Sequence, residues 1–262
     1  MTASLKDFTI RMSTALALGA VILVALIFGG VWALAAVVAV IAALAATELF
    51  VMFRRERRMP NEFVAVSAVV IMPFAAARYG ATGLTASVGI LIISAFFWHV
   101  LIRQIRIADT SITVFGAVYV GFSLAHLVLI RQLSDGILLA LTLIFSVWAN
   151  DVLAYLVGSA FGKHPLAPKI SPKKSWEGFV AGTAGTVAVW LVAGPLLGLS
   201  VTFGWRLAIG LAASVAAAIG DLAESRIKRE VQLKDSGHLL PGHGGFLDRF
   251  DSFIMVAIVT YY

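Results

Sequence analysis

The sequence predicts an all-α, polytopic transmembrane protein of about nine spans with a cytoplasmic amino terminus, and three observations lead to this fold class. Of the 262 residues, 60% are hydrophobic and only 13% are charged, and the mean hydropathy is +0.96. Apolar runs of about 20 residues, the length of a helix that crosses the hydrocarbon core, recur along the chain. Basic residues gather in alternate short loops, which is the distribution that the positive-inside rule describes.

The apolar runs define the expected spans, which lie near residues 12–29, 31–52, 62–78, 83–102, 110–130, 136–160, 176–198, 205–225 and 246–262. The first run continues as far as Phe53 without a convincing cleavage site, so we interpret it as two spans and not as a signal peptide. Residues 1–130 are expected to anchor the protein in the membrane. Residues 131–262 are expected to carry the functional site, within the same integral membrane unit.

The charged residues of the loops test this division into spans. With nine spans and a cytoplasmic amino terminus, 17 of the 20 Lys and Arg residues fall on the cytoplasmic side, and the exceptions are Arg78, Arg131 and Arg206. Removing one span would mix the two sets, so the segregation supports both the number of spans and the orientation. It also accounts for the net charge of +6 without nucleic-acid binding. The absence of cysteine excludes disulfides and Cys-ligated zinc.

Two predicted spans contain acidic residues that need partners. Glu48 lies one to two turns before the arginines at 54–58, and an ion pair with Arg54 or Arg55 is the favoured interpretation. Asp151 lies roughly 18 Å along the sixth helix from the following loop, so it must face a protein interior or a wet cavity. It is a candidate for substrate or metal contact, and an interhelical hydrogen bond is the alternative.

The loop after the sixth span is rich in lysine and proline. It contains Lys163, Lys169, Lys173 and Lys174 together with three prolines. Lysines on a stiff segment at a membrane interface suit phosphate groups. We therefore expect a phosphate-binding loop, although ordinary positive-inside topology is an alternative explanation of the charge.

Carboxylates recur at one helical spacing near the ends of the eighth and ninth segments. The first helix face carries Asp221, Glu224, Ser225 and Lys228, and the second carries Asp248, Asp251 and Ser252. Facing carboxylates make a hard-oxygen site for Mg²⁺, which takes one or two carboxylates and completes its shell with water and phosphate oxygens. His243 is followed by Gly244 and Gly245, and these two glycines would let backbone amides approach an anion. The alternative is a salt-bridged interfacial loop in which acids and bases cancel.

Two ordered stretches of the sequence resemble the phosphatidate cytidylyltransferases, also called CDP-diacylglycerol synthases. The first consists of Asp151, Ala154, Tyr155, Gly158, Phe161, Gly162, Lys163, Ile170, Ser171, Pro172, Lys173, Lys174, Ser175, Trp176, Glu177 and Gly178. The second, the signature segment, consists of Ser225, Ile227, Lys228, Arg229, Lys234, Asp235, Gly237, Leu240, Pro241, His243, Gly244, Gly245, Phe246, Asp248, Arg249, Phe250 and Asp251. The resemblance covers roughly residues 148–252.

This resemblance implies a Mg²⁺-dependent transfer of a cytidylyl group from CTP to phosphatidate in phospholipid synthesis, at a site facing the cytoplasm from the bacterial inner membrane. It implies that Asp221 and Asp248 bind the metal. Glu224, Asp235 and Asp251 are further candidates for that site or for a second cation. We expect Lys228 and Arg229 to be catalytic together with Asp221 and Asp248, through contacts to substrate phosphate. Further substrate contacts are expected from Asp151, Lys173, Lys174, Ser175, Lys234, His243, Gly244, Gly245 and Arg249.

The expected partners are CTP, phosphatidate and membrane lipid, without nucleic acid, and a homodimer is left open. A secondary transporter for an anionic solute is the rival from another class, because it also uses intramembrane acids and broken helices. A transporter should show an inverted repeat and polar residues that reach the far side of the membrane. Here the polar residues gather on the cytoplasmic side and no repeat is visible, so the enzyme is favoured.

Overall fold

The computed structural model of the protein describes residues 2–196, 198–233, 236–237 and 244–262, with the side chains of 2–12, 14–15 and 193–194 left out. The described chain is predominantly helical. In order, its elements are α1 (Thr2–Ile27), α2 (Gly30–Arg55), α3 (Glu62–Leu101), α4 (Ile107–Ala117), a π-helical turn (Val118–Phe122), α5 (Ser123–Arg131), α6 (Gly136–Phe161), β1 (Pro165–Ala167), β2 (Ser171–Ser175), α7 (Trp176–Leu196), α8 (Phe203–Glu230) and α9 (Leu247–Tyr261).

By length and composition, five helical stretches of the described residues can cross a membrane. They are Gly30–Arg55, Glu62–Leu101, Ile107–Arg131, Gly136–Phe161 and Phe203–Glu230. Two shorter apolar helices are Leu16–Ile27 and Trp176–Val192. The predicted class of helical membrane protein is therefore confirmed, apart from the small antiparallel hairpin of β1 and β2.

The 40-residue helix α3 is interrupted at Gly80, whose backbone has φ 63° and ψ −148°. Only glycine adopts this conformation readily. A Cβ atom on Gly83 would contact the carbonyl oxygen of Ala75, although residues eight apart in a straight helix are separated by about 12 Å. The two arms of α3 therefore fold back on each other, and they contain the predicted segments 62–78 and 83–102.

The chain contacts divide the protein into two compact units, Met1–Gln132 with Val231–Phe250, and Leu133–Glu230 with Asp251–Tyr262. In the first unit, α2 and α3 pack against the continuous helix of α4, the π-helical turn and α5. Close approach is possible because glycines face the neighbouring helices. A Cβ on Gly116 would lie 2.6 Å from the ring of Phe50, and one on Gly121 would lie 2.9 Å from Cα of Val69.

The second unit is also built on close helix contacts. A Cβ atom on Gly182 would touch Asn150 of α6, and one on Gly210 of α8 would lie 3.1 Å from Cα of Val187. Gly220 of α8 approaches the backbone of Asp251 in α9 so closely that a Cβ would meet the Asp251 carbonyl group. Small residues at helix interfaces are typical of membrane proteins, because close packing must hold helices together where lipid provides no hydrophobic effect between them. This packing positions the polar ends of α6, α8 and α9.

Candidate active site

The basic loop and α8 meet in the second unit through Lys174 and Asp221. Side chains alternate between the two faces of a strand, so β2 directs the consecutive residues Lys173 and Lys174 to opposite sides. Lys173 is exposed. The ammonium group of Lys174 forms an ion pair with the carboxylate of Asp221, and the two side chains are 26% and 36% exposed. The structure therefore brings together two of the predicted site residues, while the exposed side chain of Lys173 remains accessible to a ligand.

Two further carboxylates belong to the same neighbourhood. Asp251 lies within the electrostatic influence of Asp221, Asp151 and Lys174. Asp151 is exposed on α6. Of the two surroundings expected for it, a protein interior and a wet cavity, this exposure excludes the packed interior. We call Asp151, Lys174, Asp221 and Asp251 the acidic cluster. Acidic groups outnumber the ammonium group three to one in this cluster, and such crowding favours either a proton or a bound cation.

The predicted helix face of α8 also forms an internal ion pair. The Nζ atom of Lys228 lies 2.5 Å from the carboxylate of Glu224, one turn earlier on the helix. The Glu224 side chain is completely buried, and the Lys228 side chain is 13% exposed. A substrate phosphate that approached Lys228 would therefore share its ammonium group with Glu224.

The last turn of α8 is joined to the hairpin. Nε of Arg229 donates a hydrogen bond of 3.3 Å to the carbonyl oxygen of Ile170, in the turn between β1 and β2. At the end of β2, the hydroxyl oxygen of Ser175 accepts a hydrogen bond of 3.2 Å from the backbone N–H of Gly178. Serine is a favoured residue at this position because it satisfies an amide that the helix leaves open. Ser175 thus caps α7.

A pair that we did not predict from the sequence fixes the start of the lysine loop. Nδ1 of His164 lies 2.6 Å from a carboxylate oxygen of Glu177, and the other oxygen accepts hydrogen bonds from the backbone amides of Lys163 and His164. Glu177 stands in the first turn of α7. The loop therefore has a defined path where it leaves α6, as its prolines suggested.

In the first unit, Asp248 organises what is described of the signature segment. Its carboxylate accepts hydrogen bonds from the backbone N–H groups of Gly245, at 2.9 Å, and Ser236, at 3.1 Å. Gly244 has a φ of 81°, which favours glycine. Arg249 is exposed. The predicted site residues Lys234, Asp235 and His243 lie outside the described residues.

Glu48 is the functional candidate that sequence reasoning missed. Its side chain is buried, and Oε2 accepts hydrogen bonds from Oγ of Ser236, at 3.1 Å, and the backbone N–H of Leu247, at 3.0 Å. The predicted ion pair of Glu48 with Arg54 or Arg55 is wrong. Within the described chain Glu48 pairs with no arginine, and Arg54 pairs with Glu62 at 2.9 Å. An acid inside a predicted span was the available signal, but its partners are about 190 residues away and no local pattern identifies them.

The donor set of the acidic cluster suits Mg²⁺. No group of three His, Cys, Asp or Glu side chains in the described ranges is arranged to hold a metal by itself. Magnesium does not require one, because it binds through one or two carboxylates and keeps water and phosphate oxygens as its other ligands. Asp221 already holds a positive charge, the ammonium group of Lys174. Joint metal binding by Asp221 and Asp248 stays a prediction.

Comparison with known proteins identifies the family. The profile of the cytidylyltransferase family matches residues 9–262. A phosphatidate cytidylyltransferase of Mycobacterium bovis is 33% identical over 276 aligned positions, which cover 98% of this chain and 88% of the relative. The protein of the same name from Mycobacterium leprae is 43% identical over 154 positions, covering 58% of this chain and 49% of the relative. The corresponding Bacillus subtilis protein is 40% identical over 150 positions, covering 56% and 55%. These matches confirm the resemblance found in the sequence, and the chain belongs to the cytidylyltransferase family.

Proposed function

We propose that this protein transfers the cytidylyl group of CTP to phosphatidate, giving CDP-diacylglycerol and pyrophosphate. The observation that carries the proposal is the alignment of 98% of the chain with a protein named phosphatidate cytidylyltransferase. The acidic cluster and the lysine hairpin support it, because a transfer between two phosphate-bearing substrates needs groups that neutralise negative charge. The apolar helices suit a lipid substrate.

In the proposed reaction, an oxygen of the phosphatidate phosphate attacks the α-phosphorus of CTP. The new O–P bond forms as the bond from the α-phosphorus to the bridging oxygen of the β-phosphate breaks, and pyrophosphate leaves with that electron pair. The attacking oxygen is already anionic, so no general base is required. Catalysis then consists of positioning and charge neutralisation.

The residues of the lysine hairpin are suited to this work. Without substrate, the ammonium group of Lys174 is paired with the Asp221 carboxylate, and phosphate oxygens offer it an alternative partner. The exposed Lys173 provides a second ammonium group on the other face of β2. Arg229 keeps the hairpin against α8 through Ile170. We expect these contacts to hold the two substrates in line.

Mg²⁺ is the cofactor that we propose, with Asp221 and Asp248 as its protein ligands and Asp251 as a candidate ligand for a second cation. A bound magnesium ion would neutralise phosphate charge and polarise the phosphorus under attack. The chain's own contribution is to keep carboxylates close to the lysines. That contribution is visible in the pairing of Lys174 with Asp221.

We also propose nine spans, a cytoplasmic amino terminus and a site that faces the cytoplasm from the bacterial inner membrane. The segregation of 17 of the 20 Lys and Arg residues supports this topology. The reversal of α3 at Gly80 supports counting its two arms separately.

The test is an assay of purified protein in detergent with phosphatidate, Mg²⁺ and CTP labelled in either the α- or the γ-phosphate. Cytidylyl transfer should carry the α-label into a lipid-soluble product and release the γ-label as pyrophosphate. Both should depend on phosphatidate. An absence of α-labelled lipid, or γ-label in the lipid, would contradict the proposed reaction.

A further inference from the structure

Two separate points within the signature segment meet on one buried carboxylate in the first unit. Oε2 of Glu48 accepts a hydrogen bond from the hydroxyl group of Ser236, and another from the backbone N–H of Leu247. Glu48 is 4% exposed. A buried carboxylate is costly unless hydrogen bonds satisfy it, so these donors stabilise it and are in turn fixed by it.

The same two points of the chain are also held by Asp248. Ser236 donates its backbone N–H to Asp248 and its hydroxyl group to Glu48, so this one residue connects the two carboxylates. The N–H of Gly245 donates to Asp248, and the N–H of Leu247 donates to Glu48. Movement of the Glu48 carboxylate would therefore be transmitted to Asp248 through Ser236 and through the turn at 245–247.

Two glycines make room for this arrangement. A Cβ atom on Gly237 would meet the Glu48 carboxylate, with Cδ at 2.7 Å, and no other residue is among its nearest atoms. A Cβ on Gly245 would meet both the Glu48 carboxylate and Oγ of Ser236. The enclosed carboxylate thus explains why glycine stands at these positions, although Gly237 itself has no conformation that requires it.

We propose that Glu48 is a positioning residue for the transfer reaction, which sets the orientation of the Asp248 carboxylate by holding Ser236 and Leu247 of the signature segment. This inference rests on the proposed function, in which Asp248 is a metal ligand. Glu48 acts through Ser236 and Leu247 and does not touch substrate. A ligand for a hard cation must be held in a fixed orientation, so loss of Glu48 should weaken Mg²⁺ activation and slow turnover.

Replacement of Glu48 tests the role of its hydrogen bonds. Glu48→Ala removes both accepted bonds, and we expect kcat to fall about tenfold or more and the Mg²⁺ concentration for half-maximal activity to rise by a similar factor. Glu48→Gln keeps an acceptor oxygen, and Oε1 accepts no hydrogen bond from the described residues, so this variant should stay within about threefold of the wild type. Thr47→Ala is the matched control, because among the described residues the Thr47 hydroxyl group bonds only to the carbonyl oxygen of Ala43 in its own helix.

A second variant, Gly237→Ala, places a methyl group against the Glu48 carboxylate. Gly237→Ala should raise the Mg²⁺ requirement in the wild-type background, because the three atoms nearest to the added Cβ all belong to Glu48. In the Glu48→Ala background the added methyl group has space, so Gly237→Ala should cost little more. Such coupling between substitutions is the signature of a direct contact. Equal effects of Gly237→Ala in the two backgrounds would contradict the inference. If Glu48→Ala fails to fold, an unchanged Mg²⁺ requirement in Gly237→Ala alone would contradict it.

Hydrogen exchange gives a readout that is independent of activity. In Glu48→Ala, amides in the peptide 244–250 should exchange faster than in the wild type, while Thr47→Ala should leave them unchanged. Inactivity of the wild-type protein would reject the proposed function. An active wild type, with unchanged kcat, Mg²⁺ activation and exchange in Glu48→Ala, would reject the positioning role alone. Equal losses in Glu48→Gln and Glu48→Ala would also reject it.

Discussion

Lys174 and Asp221 form an ion pair that joins β2 to α8, so the basic loop and one predicted metal ligand share a single contact. A lysine that is paired with a carboxylate at rest has two functions open to it. One is to neutralise the acid before substrate arrives, and the other, which we propose, is to contact phosphate once substrate is bound. Kinetics can separate the two functions.

We expect Lys173→Ala and Lys174→Ala to raise KM for CTP or phosphatidate while they have little effect on folding. A charged contact to phosphate contributes about 1.5–3 kcal/mol, so kcat/KM should fall about tenfold or more. Steady-state kinetics with each substrate varied in turn measures this. Lys169→Ala provides an exposed lysine of the same loop as a control. Unchanged kinetics in both variants would mean that the positive charge of the loop is explained by membrane topology alone.

Asp221→Asn and Asp248→Asn should each lower activity by orders of magnitude while the solubilised protein stays folded. Asparagine keeps the size of the side chain but removes the charge that holds a hard cation. Activity is measured over a series of Mg²⁺ concentrations. Asp135→Asn is the control, because Asp135 bonds to the backbone of Ser200 and asparagine can accept the same bond.

Two results would contradict this assignment. Full activity of both Asn variants with an unchanged Mg²⁺ optimum would mean that these acids only neutralise neighbouring lysines. A bound divalent ion more than about 4 Å from both carboxylates would exclude them as ligands even if the variants are inactive.

Gly80→Ala should destabilise the first unit without removing any contact. Its φ of 63° strains any other residue, and a Cβ at this position meets nothing within 4 Å, so the loss of about 1–3 kcal/mol would come from the backbone alone. Thermal unfolding in detergent measures it. Gly89→Ala, in the same helix and equally open but without a positive φ, should be neutral or stabilising. Equal melting temperatures for the two variants would contradict a tight turn at Gly80.

The topology is open to direct labelling because the chain has no cysteine. With an impermeant thiol reagent and intact cells, Glu56→Cys and Pro172→Cys should be protected and Leu133→Cys should react. All three positions are exposed on the protein. Labelling of Pro172→Cys from outside would overturn the cytoplasmic placement of the site.

Sequence patterns were sufficient for features that depend on neighbouring residues. Apolar runs mark the helices because a membrane span must be continuous in sequence. The spacing of Glu224 and Lys228 predicted a shared helix face, and the two side chains do pair. The segment between 78 and 83 was correctly left between two helical stretches, where Gly80 forms the turn.

Contacts between distant parts of the sequence were not predictable in the same way. Lys174 and Asp221 were both candidates, but nothing in their spacing identified them as partners. The β-hairpin was missed because prolines and lysines predicted only a stiff loop. Glu48 was assigned to nearby arginines because a local charge pair is the simplest interpretation, whereas its hydrogen-bond donors come from the far end of the chain.

The contact between Glu48 and the signature segment has a consequence for the order in which the protein is made. Helix α2 is synthesised and inserted well before the ribosome reaches Ser236. The Glu48 carboxylate is therefore in place before its hydrogen-bond donors are synthesised. A polypeptide that begins after residue 132 would contain Asp221 and Asp248 but not the carboxylate that joins Ser236 to Leu247. If Glu48 has the proposed positioning role, exchanging the amino-terminal helices between relatives should preserve activity only where an acid occupies the position of Glu48.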